Sequence, residues 1–200
     1  NSTIDRVFTH VLKHTHPSVN VCPFRKGGLG NDEIAFDVQG INIPCSSIMR
    51  APFDQYHTDN DNPEHVNEKN FEEMIELIQD TIEVLEENAT LTANFKGLPC
   101  LSHDQLDLYL PPPTFSHVED KTRSKSNDLI DKLPDRYKKN LIKKGENFNE
   151  LMTLFSIMCD GKNTILDIAE KVDLPFKTVH CYAKMWEKEH LLELNWVHPF

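Results

Sequence analysis

Tyr56 and His57 stand side by side, and between them they carry two functions that metal-assisted hydrolysis of a peptide bond requires. A neutral imidazole is a favoured zinc ligand. A phenol can donate to the oxyanion formed when metal-activated water attacks a peptide carbonyl. A histidine taken singly is more often a surface residue than a ligand, so its surroundings decide the reading. The pattern of residues predicts a strand over 41–50 and a loop rich in Asp, Asn and Pro over 51–63. That order sets the pair just past a strand end, where sheet-based enzymes collect functional groups.

The other polar residues with a chemical reading cluster around this loop. Three glycines at 27, 28 and 30 precede Asn31, Asp32 and Glu33. Asn31 suits a helix cap, with Asp32 and Glu33 in a first turn where carboxylates complement the helix dipole, and Gly40 at the far end. Arg50 is either an ordinary surface ion-pair partner or a planar fork for a substrate carboxylate. Asp61 either orients the His57 loop or caps the helix that follows.

The elements that position these residues come next. Ile4, Val7, Phe8, Val11 and Leu12 form the stripe of an amphipathic helix over 4–14, capped by Ser2 or Thr3 and ended at His16-Pro17. Residues 19–22 read as a short strand. From Asn67 a long helix follows, with Phe71, Met74, Ile75, Ile78, Ile82 and Leu85 predicted to face inward. Glu72, Glu73, Glu76, Asp80, Glu83, Glu86 and Glu87 are predicted to form its solvated side. Residues 91–110 read as a small hairpin or extended connector, and Pro111-Pro112-Pro113 as a stiff break. Residues 121–144 carry nine Lys/Arg against three Asp, as a basic surface linker would. The tail then reads helix, helix, helix, strand over 147–197, the order of a winged helix.

Taken together, Gly-Asn-Asp at 30–32, Gly-Ile-Asn-Ile-Pro at 40–44, Arg50 and Tyr-His-Thr at 56–58 resemble the end of the catalytic domain in the two-zinc aminopeptidase and glutamate carboxypeptidase clan. Within it the chain most resembles bacterial aminopeptidase-like proteins with a C-terminal winged helix. The tail at 158–170 and Leu174-Pro175-Phe176 is similar to that module, and the likeness spans residues 4–90 and 145–195. It implies an α/β fold: the C-terminal part of a zinc-exopeptidase-like sheet domain (1–90), an extended element and basic linker (91–144), and a small winged-helix domain (145–200). It implies that Tyr56 stabilises the oxyanion, His57 is the last zinc ligand, and Asn31, Asp32 and Arg50 border the substrate pocket, with Asp61 behind them. It implies a peptide or peptide-like substrate and a pair of zinc ions as cofactor.

This chain departs from the clan's pattern in one respect. The remaining ligands, a bridging Asp among them, and the general-base Glu lie upstream in the clan, and Asp5 is the only carboxylate here before Asp32. One histidine cannot close a dinuclear site, so these residues are expected to bind zinc weakly and lack turnover without the missing N-terminal half of the catalytic domain as partner.

Composition narrows the alternatives. A net charge of −11 argues against general nucleic-acid binding. The last sixty residues hold seven Lys/Arg against nine Asp/Glu, with only Lys177, Lys184 and Lys188 on the would-be recognition helix, which favours packing or homo-oligomer formation over DNA binding. A non-catalytic winged-helix module binding DNA or protein is the competing function. No apolar run approaches a membrane span. Five cysteines without a Cys-x-x-Cys pair read as buried free thiols in a reducing, cytoplasmic compartment. His10, His14 and His16 read as surface residues near a helix end, where cationic histidines are favoured.

Overall fold

The computed structural model describes residues 2–22, 32–110, 125–141 and 147–197. The first helix, α1 (Thr3–Thr15), begins at a reciprocal cap: the Asp5 amide donates to Ser2 Oγ while Asp5 accepts from the Ser2 amide. A single turn, α2 (Glu33–Phe36), follows, and then a 3-10 turn at Pro63–His65 leads into the 20-residue α3 (Glu68–Glu87), capped by Asn67. Strand β1 (Ala89–Ala93) leaves α3 directly. Helices α4 (Lys125–Asp131), α5 (Asp135–Leu141) and α6 (Asn147–Met158), strand β2 (Asp160–Thr164), helices α7 (Ile165–Val172) and α8 (Phe176–Lys188), and strand β3 (Leu192–Trp196) complete the order.

The sheet is small and antiparallel, in the order β2-β1-β3. β1 is its middle strand, with Leu91 opposite Leu194 and Thr90 opposite Thr164. Gly161 adopts φ +78° where β2 crosses β1, and a Cβ there would sit 3.2 Å from Thr92 Oγ1, so glycine satisfies both the backbone and the space.

Helix, helix, helix and strand over the tail appear as the sequence indicated, with β2 added between the first two. Their common core is aromatic: Phe155, Tyr182 and Trp186 are fully buried with ring centroids 5.0 to 5.9 Å apart. Burying each stabilises the fold by about 1.5–3 kcal/mol. Part of the basic segment is also built in, since Leu129, Ile130, Leu133 and Tyr137 of α4, α5 and the turn between them are buried.

Several expectations about the first ninety residues are corrected. Neither 19–22 nor 41–50 is a strand: both run as extended or turning chain without a ladder partner, and the backbone of a lone segment is left to water. Among the described residues the sheet before residue 89 is therefore missing, and the architecture is helices with one small antiparallel sheet. α2 is a single turn, because Asp32 already has helical angles and its side chain makes no capping bond.

The orientation of α3 is inverted relative to the hydrophobic pattern. Leu77, Asp80, Thr81 and Val84 are its buried residues, while Phe71, Ile75, Ile78 and Ile82 are exposed. Two ion pairs and a contact to a mostly buried imidazole explain this. Arg136 of α5 grips Asp80 at 2.6 and 2.9 Å, Lys177 of α8 holds Glu83 at 2.6 Å, and His180 meets Glu87 at 2.9 Å. The side of α3 that carries Asp80, Glu83 and Glu87 is the one that docks, while Glu72, Glu76 and Glu86 stay exposed.

His10 and His14 are buried rather than superficial, with rings 4.7 Å apart. They occupy the same i, i+3, i+4, i+7 stripe as Val7 and Val11, the face that α1 turns inward. Of the cysteines, all free, only Cys159 is buried; Cys22 and Cys100 are exposed. No described helix is long and apolar enough to cross a membrane.

Candidate functional site

The loop bearing Tyr56 and His57 is held by its own backbone. The Tyr56 amide donates to the Phe53 carbonyl, and the Thr58 amide and hydroxyl both donate to the Gln55 carbonyl. The Thr58 hydroxyl in turn accepts from the Asn60 amide at 3.2 Å. These turns force His57 into the left-handed region at φ +62°, an uncommon conformation that histidine tolerates better than most residues. Its imidazole then stacks on the Tyr56 ring, centroids 3.8 Å apart and planes 23° apart. Phe53 meets Tyr56 edge-on at 5.7 Å. All three side chains are exposed, so the pair faces outward with its phenol and imidazole open to a ligand.

The chain around this loop is tethered to the helical body by two polar links. Ser46 Oγ donates to Asp5 Oδ1 at 2.8 Å, fastening it to α1. Arg50 donates to Glu73 Oε2 at 2.8 Å, fastening it to α3, and that guanidinium holds the Glu73 carboxyl below its usual range. Arg50 is thus an exposed residue already in an ion pair. Asp32 is exposed at the start of α2. Asp61 is exposed as well, and the residues that cap the 3-10 turn and α3 after it are Asn62 and Asn67. Asn31 and the glycine-rich stretch before it lie outside the described residues.

Among the described residues no three His, Cys, Asp or Glu side chains gather in a group that could hold a metal ion. Zinc needs three or four protein donors, and His57 offers one. The described residues therefore do not form a zinc centre by themselves.

The fold does contain polar constructions that sequence reasoning overlooked. His10 Nε2 accepts the Phe176 amide at 3.0 Å. This bond serves the start of α8, where Pro175 occupies the cap position and has no side-chain oxygen to offer. The two histidines at helical spacing with Val7 and Val11 were the available signal. Asp80 sits between Leu77 and Val84, a second apolar pair two turns apart that marked the true inner face of α3. Arg6 of α1 spans to Asp167 and Glu170 of α7 at 2.7 and 2.6 Å. Burial pushes the Asp167 carboxyl up, but hydrogen bonds from the Thr164 amide and from Arg6 outweigh it and hold the group below the usual range.

Residues 1–88 match the model of a domain of unknown function, DUF4910. A Clostridium acetobutylicum protein, named as a candidate polysaccharide biosynthesis protein with aminopeptidase-like domain, is 28% identical over 97% of this chain and 38% of its own length. The crystal structure of a candidate peptidase from the same organism superposes with a TM-score of 0.60 at 24% identity, over 96% of this chain and 36% of that one. The chain spans little more than a third of the length of these relatives, and over that part it shares the fold of the crystal structure.

Proposed function

We propose that this chain is the C-terminal part of an aminopeptidase-like unit that removes a terminal residue from a peptide, with Tyr56 and His57 on one wall of its site. The observation that carries the proposal is the stacked, outward-facing Tyr56–His57 pair on a strained turn. Stacking fixes the phenol beside the imidazole, so an oxyanion donor and a metal-ligand nitrogen address the same small volume. The name of the Clostridium relative supports the same reading. In this proposal His57 is one ligand of a two-zinc centre whose other ligands lie outside these 200 residues. Asp32 and Asn31 border the pocket, and Arg50 exchanges Glu73 for a substrate carboxylate. Asp61 steadies the loop, and the 147–197 region acts as a winged-helix packing module.

The competing DNA-binding role is weaker for a specific reason. Lys177, one of three cations on α8, is spent on Glu83, and Lys184 is paired with Glu187 at 2.7 Å. Cations already paired with carboxylates of the same chain contribute less to a phosphate backbone than free ones.

Zinc titration followed by equilibrium dialysis tests the proposal. The chain alone should retain no stoichiometric zinc and release no residue from an aminoacyl-anilide. In the full-length Clostridium relative, substituting the histidine aligned with His57 by Ala should lower bound zinc and abolish release. Two zinc ions held by the 200-residue chain, or an aligned-His variant with unchanged zinc and turnover, would overturn it.

A further inference from the structure

We infer that the exposed stripe of α3 is a docking face for a further section of an aminopeptidase-like chain, presenting an apolar surface with a basic rim. Phe71, Ile75, Ile78 and Ile82 recur at i, i+4, i+7 and i+11, which stacks them in one line about 16 Å long at 1.5 Å per residue. Their exposures are 62%, 41%, 42% and 52%. Four large apolar side chains aligned in water are a contiguous patch, not scattered surface hydrophobes.

The helix cannot turn this line inward within the described chain. Its opposite face is fixed by buried Asp80 against Arg136 and by Glu83 against Lys177. A half-turn would expose Leu77 and Val84 and strand Arg136, undoing a paired buried carboxylate. The stripe is therefore left for something outside these residues to cover.

Two observations identify the occupant. The first is length: the Clostridium relative that aligns with nearly all of this chain has 62% of its own length beyond the aligned part. Charge is the second. One flank of the stripe carries exposed Glu68, Glu72 and Glu86, and the other carries half-buried Met74 and Leu85. An antiparallel pair of identical helices would set glutamates against glutamates, a like-charge juxtaposition that disfavours that pairing of two copies. A different surface, apolar at its centre and basic along one edge, meets both flanks.

The inference shares with the peptidase reading only the existence of a further section, not its chemistry. Its test uses maleimide labelling of an introduced thiol. Ile78→Cys, in a background with Cys22 and Cys100 changed to Ser, should label rapidly in the 200-residue chain, and a cysteine at the aligned position of the full-length Clostridium relative should label roughly 100-fold more slowly. Leu98→Cys, far more exposed at 84%, is the control that labels quickly in this chain. Ile82→Asp should leave the melting temperature of this chain unchanged while the aligned change destabilises the relative. Equal labelling in both proteins, or a homodimer of this chain that Ile82→Asp splits into monomers, overturns the inference. Zinc content reports on the peptidase site separately, so either idea can fail without the other.

Discussion

Arg136 closes over Asp80 as a two-pronged fork, Nη2 to Oδ1 at 2.6 Å and Nε to Oδ2 at 2.9 Å, and this contact sets which way α3 faces. Asp80 is 5% exposed, and Tyr137 beside it, itself buried, has its phenol pushed far up by burial and by the Asp80 charge. Removing the guanidinium leaves an unpaired buried carboxylate. Arg136→Met should destabilise the chain by about 3 kcal/mol, whereas the double change Asp80→Asn with Arg136→Met should recover much of that loss. Denaturant unfolding of the three variants measures it.

The buried histidine at the α1–α8 junction makes a second prediction. His10→Phe keeps the volume but strands the Phe176 amide at a helix start with a proline cap, so a loss of about 1–3 kcal/mol is expected. His10→Gln, whose side-chain oxygen can accept the same bond, should lose less. Thermal unfolding of both variants at one pH separates the lost bond from lost packing.

Acid sensitivity follows from His180. Burial drives its protonation equilibrium down, overriding the pull of Glu87 at 2.9 Å and of Glu83, and helped by Lys184 and Lys177. The folded state then binds fewer protons than the unfolded one below the ordinary histidine value of about 6.5. Stability from this group is fully present above that value and is lost as pH falls through the depressed one. Melting temperature should drop between pH 7 and 5, and His180→Phe should flatten that part of the profile.

How much of this was legible in the sequence depended on whether partner and pattern lay in the same segment. The Ser2–Asp5 cap, α3 as a long helix, and the helices and final strand of the tail are local, and their spacing announced them. The orientation of α3 was not, because it is decided by Arg136 and Lys177, 56 and 94 residues further on. A stripe of Phe71, Ile75, Ile78 and Ile82 says that one face will be buried but not which chain buries it. The strand expected over 41–50 failed similarly: extended chain becomes a strand only with a ladder partner. At the site the sequence supplied the neighbours Tyr56 and His57, while their stacking depends on a left-handed turn that carries no glycine signal.

Thiol chemistry gives a further check. Burial raises Cys159 to about 12, and its Sγ donates to the Phe155 carbonyl at 2.9 Å, so almost none is thiolate at neutral pH. An aromatic disulfide reagent at pH 8 should react quickly with the exposed Cys22 and Cys100 and reach Cys159 only on unfolding. Mass spectrometry of the labelled peptides would read the order directly.

The left-handed His57 sharpens the case that its loop is kept for chemistry. An exposed side chain contributes little to folding, and a non-glycine residue at φ +62° carries a backbone cost of about 1 kcal/mol or more. Glycine would remove that cost while adding unfolded-chain entropy of about 0.5–1 kcal/mol, so His57→Gly should change stability by less than about 0.5 kcal/mol. A β-branched residue fits that region worst, and His57→Val should cost about 1–2 kcal/mol. If both hold in denaturant unfolding, the imidazole is dispensable for the fold and the turn that strains it is not. A large loss from His57→Gly would instead make the Tyr56–His57 stack a structural contact and remove the main reason for assigning it a site.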